Sequence, residues 1–185
     1  MSEHRDVQLS KLCSIARRRG TPTGTGAYVG LEHIAPGSGL LTPTTISGAG
    51  VKSSTFCFDD QMVLYGKLRP YLNKVALPNF SGFCSTDILP LIPAEGVDRR
   101  LLAALLRSPD FVGRVSQLTT GANLPRVSPD ALMTVIVRVP TDPDTLSRVM
   151  VAMDALDGAN TALSALAGAV AELAAFPGAL LAVDA

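Results

Sequence analysis

The sequence predicts a mixed α/β globule, rich in strands, continued by one long C-terminal helix of coiled-coil type. Three observations carry this. Short apolar runs recur between Gly, Pro and Ser clusters as far as Val139, a helical pattern interrupts them in one place, and past Pro140 the apolar spacing changes to alternating threes and fours. Apolar runs of four to eight residues between turn signals read as strands, and a sustained three-four repeat reads as a helix.

Taken in order, residues 1–20 give a polar start, a short amphipathic stretch over 7–15, and the cationic run Arg17-Arg18-Arg19 ending at Gly20. Residues 21–26 are Thr, Pro and Gly, which predicts a loop. Strands are expected over residues 27–31, 55–58, 62–65, 74–77, 87–92 and 133–139. Between the last two, Leu102, Leu105, Leu106 and Val112 recur at helical spacing, so one or two packed helices are expected from Arg99 to about Leu118. Strand and helix do not alternate regularly, which argues against a doubly wound parallel sheet.

Pro140 and Pro143 break the chain, Asp144 or Thr145 can cap a helix, and Pro177-Gly178 supplies a stop. Leu146, Val149, Met153, Leu156, Asn160, Leu163, Ala167, Val170 and Ala174 form a heptad seam over this segment. An amide on such a seam specifies register at some cost in stability, so Asn160 suggests a partner helix. The expected organisation is a globular domain over residues 1–140, a helical dimerisation segment over 141–177 and a tail over 178–185.

Composition narrows the function classes. The 185 residues are 47% apolar and contain no long charge run, which fits a folded protein. The apolar C-terminal third is interrupted by Asp154, Asp157, Asn160 and Glu172, so a membrane span is not expected. No cationic segment followed by an apolar stretch opens the chain, and its three cysteines lack metal-ligand spacing; a reducing cytoplasm is expected. His4 and His33 belong to no spaced ligand set, and no nucleophile elbow is present, so neither a metal, a cofactor nor a catalytic residue is assigned.

Net charge is zero, yet residues 1–138 carry 15 Lys and Arg against 10 Asp and Glu, and the remainder carries 1 against 6. The first part is therefore the one suited to an anionic partner. Its densest polar segment is Val63-Leu-Tyr-Gly-Lys-Leu-Arg-Pro-Tyr-Leu-Asn-Lys-Val75. Lys67, Arg69 and Lys74 can neutralise phosphates, Arg69 and Asn73 can read base edges, and Tyr65 and Tyr71 can stack or donate hydrogen bonds. A second polar segment, Thr119-Thr-Gly-Ala-Asn-Leu-Pro-Arg-Val-Ser128, adds Asn123 and Arg126 on a loop shaped by Gly and Pro. The candidate DNA-binding residues are thus Lys67, Arg69, Tyr71, Asn73, Lys74, Asn123 and Arg126. The candidate dimerisation residues are Leu146, Val149, Met153, Leu156, Asn160, Leu163 and Val170.

Four stretches resemble the target recognition domain of specificity subunits from type I restriction-modification systems. They are Tyr28-Val-Gly-Leu-Glu-His-Ile34, the segment ending at Val75 just quoted, Gly82-Phe-Cys-Ser-Thr-Asp-Ile-Leu89, and Thr120-Gly-Ala-Asn-Leu-Pro-Arg-Val-Ser128. The helix past Pro140 is similar to one of that family's spacer helices. The resemblance implies a non-catalytic reader of double-stranded DNA that docks a DNA adenine methyltransferase subunit, and with it a motor-nuclease subunit, onto a bipartite site. A full specificity subunit has two recognition domains and two spacer helices, whereas one of each is present here. The usual Gln-containing stretch entering the helix is replaced by Asp142-Pro-Asp-Thr-Leu-Ser-Arg148. A homodimer of half-subunits, paired through the helix, would restore the two-domain arrangement. The competing expectation is an adaptor that pairs with another specificity subunit and does not read DNA itself.

Overall fold

The computed structural model describes residues 4–21, 25–42, 44–47 and 54–180. Its elements begin with β1 (His4–Gln8), a 3-10 turn at Leu9–Lys11, β2 (Cys13–Ile15), β3 (Arg19–Gly20) and β4 (Thr25–Val29). After a turn at Leu31–His33 come β5 (Thr44–Ser47), β6 (Thr55–Phe58), β7 (Val63–Gly66), a turn at Pro70–Leu72, β8 (Val75–Ala76), β9 (Gly82–Cys84) and β10 (Ile88–Pro93). Two helices follow, α1 (Arg99–Arg107) and α2 (Pro109–Gln117), then β11 (Thr119–Thr120), β12 (Arg126–Val127), α3 (Pro129–Met133), β13 (Ile136–Pro140) and α4 (Pro143–Leu180). The mixed, strand-rich globule with a long C-terminal helix is therefore observed.

A central four-stranded sheet, ordered β2-β10-β7-β8, lies between two apolar layers. All four residues of β7 are buried, as required of a strand covered on both faces. Val63 and Tyr65 point with Leu91, Leu102, Leu106, Phe111 and Val115 into a core shared with α1 and α2. Leu64 and Ile88 point the other way, joining Val29, Phe58 and Cys84 from the five-stranded sheet β3-β6-β9-β4-β5. Leu102 and Leu106 are wholly buried at helical spacing. Truncating either to Ala costs about 2–5 kcal/mol.

The amphipathic stretch over residues 7–15 is not one element. Its apolar side chains reach the core from β1, which pairs antiparallel with β13, from β2, which pairs with β10, and from the turn between them, where Leu9 and Leu12 are buried. The helical region splits at Ser108, whose hydroxyl accepts from Phe111 N at 3.3 Å and caps α2. Pro109 then occupies the first helical position, where its missing donor costs nothing. Ser128-Pro129-Asp130 repeats this pattern and starts α3, a helix not expected from periodicity. Asp142-Pro143-Asp144 starts α4 in the same way. Asp142 Oδ2 accepts from Thr145 N at 2.9 Å and from Thr145 Oγ1 at 2.7 Å, so the cap is Asp142 and not Asp144 or Thr145. The backbone stays helical through Leu180, past the expected stop at Pro177.

The first half of α4 docks on the globule. Met153 is buried, Leu156 packs partly buried, and Arg100 binds Asp154 while also holding Asp98. Asn160 Nδ2 donates to Ser38 O at 3.1 Å and Ser164 Oγ to Leu41 O at 3.1 Å, tying the helix to the 35–42 loop. Beneath them Arg107 donates twice to Val75 O, at 2.7 and 3.2 Å. Gly39 sits at φ +69 against that pair, and a Cβ there would lie 1.9 Å from Val75 O, so this position requires glycine. Part of the sequence of the predicted loop, residues 22–24, lies outside the described residues, as do residues 181–185 of the predicted tail.

Candidate nucleic-acid interface

Residues distant in sequence meet where the central sheet ends. Antiparallel pairing of Gly66 with Ile88 brings the exit of β7 beside the entry of β10. There Lys67 N donates to Asp87 O at 2.9 Å. The second polar segment closes over the same place, with Val127 N donating to Lys67 O at 3.1 Å, Arg69 N to Pro125 O at 2.7 Å, and a bridge between Leu68 and Arg126. The other two quoted stretches are bound in as well. Lys74 Nζ donates to Leu31 O at 2.6 Å, and Ser85 N to Val29 O at 3.0 Å.

The backbone decides which side chains face out. Arg69 lies in the left-handed region at φ 50, ψ 60, directly before Pro70. A left-handed arginine carries strain of about 1–3 kcal/mol, and such strain persists only where surrounding contacts fix it. The bond to Pro125 O is one such contact. The turn that follows leaves Tyr71 54% exposed and returns at Asn73, again at φ 50. Asn73 Nδ2 donates to Arg107 O at 3.0 Å while its Oδ1 is buried with no hydrogen-bond partner. Asn73 is therefore turned inward and does not present its amide as a base reader.

Arg69, Tyr71 and Asn123 are exposed, and Lys67 and Arg126 half-buried. Arg126 Nε and Nη2 donate to Asp87 Oδ1 and Oδ2 at 3.0 and 3.3 Å. Gly121, at φ +95, turns the β11–β12 hairpin and leaves Asn123 and Leu124 at its exposed tip. Tyr65, by contrast, is 4% exposed and packs edge-on to Phe111 at 6.1 Å, and burial pushes its hydroxyl pKa up. It belongs to the core. Lys74 keeps one donor on Leu31 O and so fixes a turn as much as it offers charge.

Sequence reasoning did not single out Asp87, although it lies in one of the four quoted stretches. Nor did it find the exposed apolar stripe of α4, formed by Leu163, Leu166, Val170 and Leu173 at 51%, 61%, 56% and 72% exposure. Of the expected dimerisation residues, Met153 and Asn160 are taken up by the globule, Leu146, Val149 and Leu156 are half-buried, and Leu163 and Val170 are exposed. No cluster of three metal-ligating side chains occurs among the described residues, and none of their helices is long and apolar enough to cross a membrane.

No family model matches the chain. Over 100 residues it is 30% identical to the EcoDI specificity subunit of a type I restriction enzyme from Escherichia coli, a match covering 54% of this chain and 22% of that protein. Among solved structures it is similar to a chain from a type I restriction-modification complex, with a TM-score of 0.69, 23% identity, and coverage of 97% of this chain and 48% of that one. It is also similar to the HsdS subunit from Thermoanaerobacter tengcongensis, with a TM-score of 0.64, 20% identity, and coverage of 90% and 45%. The S subunit from M. genitalium gives a TM-score of 0.59 at 12% identity, with coverage of 90% and 41%. The chain is thus related in sequence to a type I restriction enzyme specificity subunit and has the fold of such a subunit's recognition domain with its helix, over a little less than half the length of the solved chains.

Proposed function

We propose that this chain acts as a sequence-specific DNA-binding subunit of a type I restriction-modification system. The observation that carries the reading is the surface where Lys67, Arg69, Tyr71, Asn123 and Arg126 lie on two loops joined backbone to backbone. Cations on such a surface neutralise phosphates, and a guanidinium or amide on a shaped loop can read base edges. The chain does no chemistry in this reading. It carries a DNA adenine methyltransferase subunit, and through it a motor-nuclease subunit, to a bipartite site, with two copies joined through α4. The recognition domain is residues 1–140, and the helical segment follows it.

Selection from a random duplex library, followed by mobility shifts on the enriched site, tests this. Arg69→Ala and Asn123→Ala should relax discrimination between the enriched and scrambled sites, while Lys67→Ala should weaken binding to both and lower the salt slope by about one. A parent protein that enriches no sequence and binds duplexes without salt dependence would sink the reading. That result would favour the adaptor, a protein-binding relative of the same fold, for which the exposed stripe of α4 supplies the contact surface.

A further inference from the structure

The run Arg17-Arg18-Arg19 is left unused by the surface described so far. It leaves β2 at the same end of the central sheet from which Lys67 leaves β7, because both strands run antiparallel to β10, which lies between them. Ala16 N donates to Pro90 O at 2.8 Å, extending the pairing toward the entry of β10. Arg17 and Arg19, two residues apart, both line a recess of about 310 Å³ whose apolar lining includes Phe56 and Leu89. Pro129 and Asp130, which open α3 one residue beyond the strand that carries Arg126, line it as well.

All three arginines are exposed, and among the described residues none forms an ion pair. Arg19 is partly ordered by lying over the Phe56 ring at 5.8 Å. An arginine held on an aromatic face with no carboxylate partner is preordered for an anion. We infer that Arg17 and Arg19 form a second phosphate-binding edge, so that the sugar-phosphate backbone of duplex DNA runs across the end of the central sheet, from the 67–73 and 121–126 loops over the entry of β10 to this recess. The guanidiniums take phosphates, the apolar lining accepts a deoxyribose, and the Asp130 carboxylate keeps phosphates on the arginine side. This rests on the DNA-binding reading above and extends it to a part of the chain that the two loops do not include.

The test uses the full chain and a mixed-sequence duplex of about 30 base pairs, with dissociation constants measured across a salt series. Each phosphate contact contributes about 0.9 to the slope of log K against log salt. Arg17→Gln should lower that slope by about one, and Arg17→Gln with Arg19→Gln by about two, with thermal unfolding close to the parent's for the single variant. Lys11→Gln, in the turn at the opposite end of β2, should leave the slope unchanged. A slope unaltered by Arg17→Gln in a parent that binds duplex, or one lowered equally by Lys11→Gln, overturns the second edge while leaving the loop surface standing. A parent with no salt-dependent binding overturns both.

Discussion

Arg126 and Asp87, 39 residues apart, are held fork to fork: Nε to Oδ1 at 3.0 Å and Nη2 to Oδ2 at 3.3 Å. The pair is part-exposed, at 41% for Arg126 and 26% for Asp87. Its contribution to folding stability is accordingly small. Its geometric effect is larger, because a bidentate carboxylate fixes the plane of the guanidinium and leaves Nη1 directed by that plane.

Asp87→Ala should therefore have two opposite effects on DNA binding. Removing a carboxylate beside a polyanion raises affinity for any duplex, while freeing Arg126 lowers discrimination between the enriched site and a scrambled one. A well-placed bidentate arginine contributes about 1–3 kcal/mol of discrimination. Part of that, from a few-fold to about tenfold in the affinity ratio, should be lost. An unchanged ratio would mean that Asp87 does not position Arg126 for reading.

The capping serine of α2 has a double role. Ser108 Oγ accepts from Phe111 N and donates to Leu105 O at 2.8 Å, so it closes α1 as it opens α2. Ser108→Ala should destabilise the chain by about 1 kcal/mol, the usual loss for an N-cap. Chemical denaturation should show this as a lower midpoint with an unchanged slope.

Acid sensitivity is expected where α1 meets α4. Arg100 donates to both oxygens of Asp98 and also binds Asp154, and the Arg100 bonds hold the Asp98 carboxyl below its ordinary value. A depressed folded-state pKa gives stability that is complete above the unfolded value of about 3.9 and is lost as pH falls through the lower folded value. Stability measured from about pH 6 down to pH 2 should therefore decline less steeply at the acid end in Asp98→Asn than in the parent. Identical acid limbs would remove Asp98 from this account.

Legibility followed the range of the interactions. β6 was readable to the residue because apolar Phe56 and Phe58 stand between local turn signals, and the 67–73 and 121–126 loops because their Gly, Pro and cations are local too. The 7–15 stretch was not, since Leu9, Leu12 and Ile15 recur every third residue as on a helix face, and only pairing with the distant β13 and β10 makes strands of its two ends. The Ser-Pro-Asp start of α3 was a local signal that periodicity alone passes over. Asp87 and Asn160 acquire their roles from partners 39 and 122 residues away, which no local pattern encodes.

That last contact changes which face of α4 is available for pairing. A strict heptad seam assigns Met153, Leu156, Asn160 and Leu163 to one interface, but an α-helix advances 100° per residue and the seam drifts around it. The globule takes the face of Met153 and Asn160. Leu163, Leu166, Val170 and Leu173, at spacings of three, four and three, then fall within about 80° of arc on an adjacent face that the globule does not cover. Four large apolar side chains in such a stripe suit a second copy of the same helix, which offers a matching stripe under two-fold symmetry. Leu166→Glu should therefore convert a dimer into a monomer in sedimentation while leaving thermal unfolding of the globule nearly unchanged. Asn160→Ala should do the reverse, lowering stability by about 1 kcal/mol through the lost bond to Ser38 without abolishing the dimer. A dimer that survives Leu166→Glu and dissociates in Asn160→Ala would return the interface to the original seam, and a parent that is monomeric at micromolar concentration would remove the homodimer from the proposal.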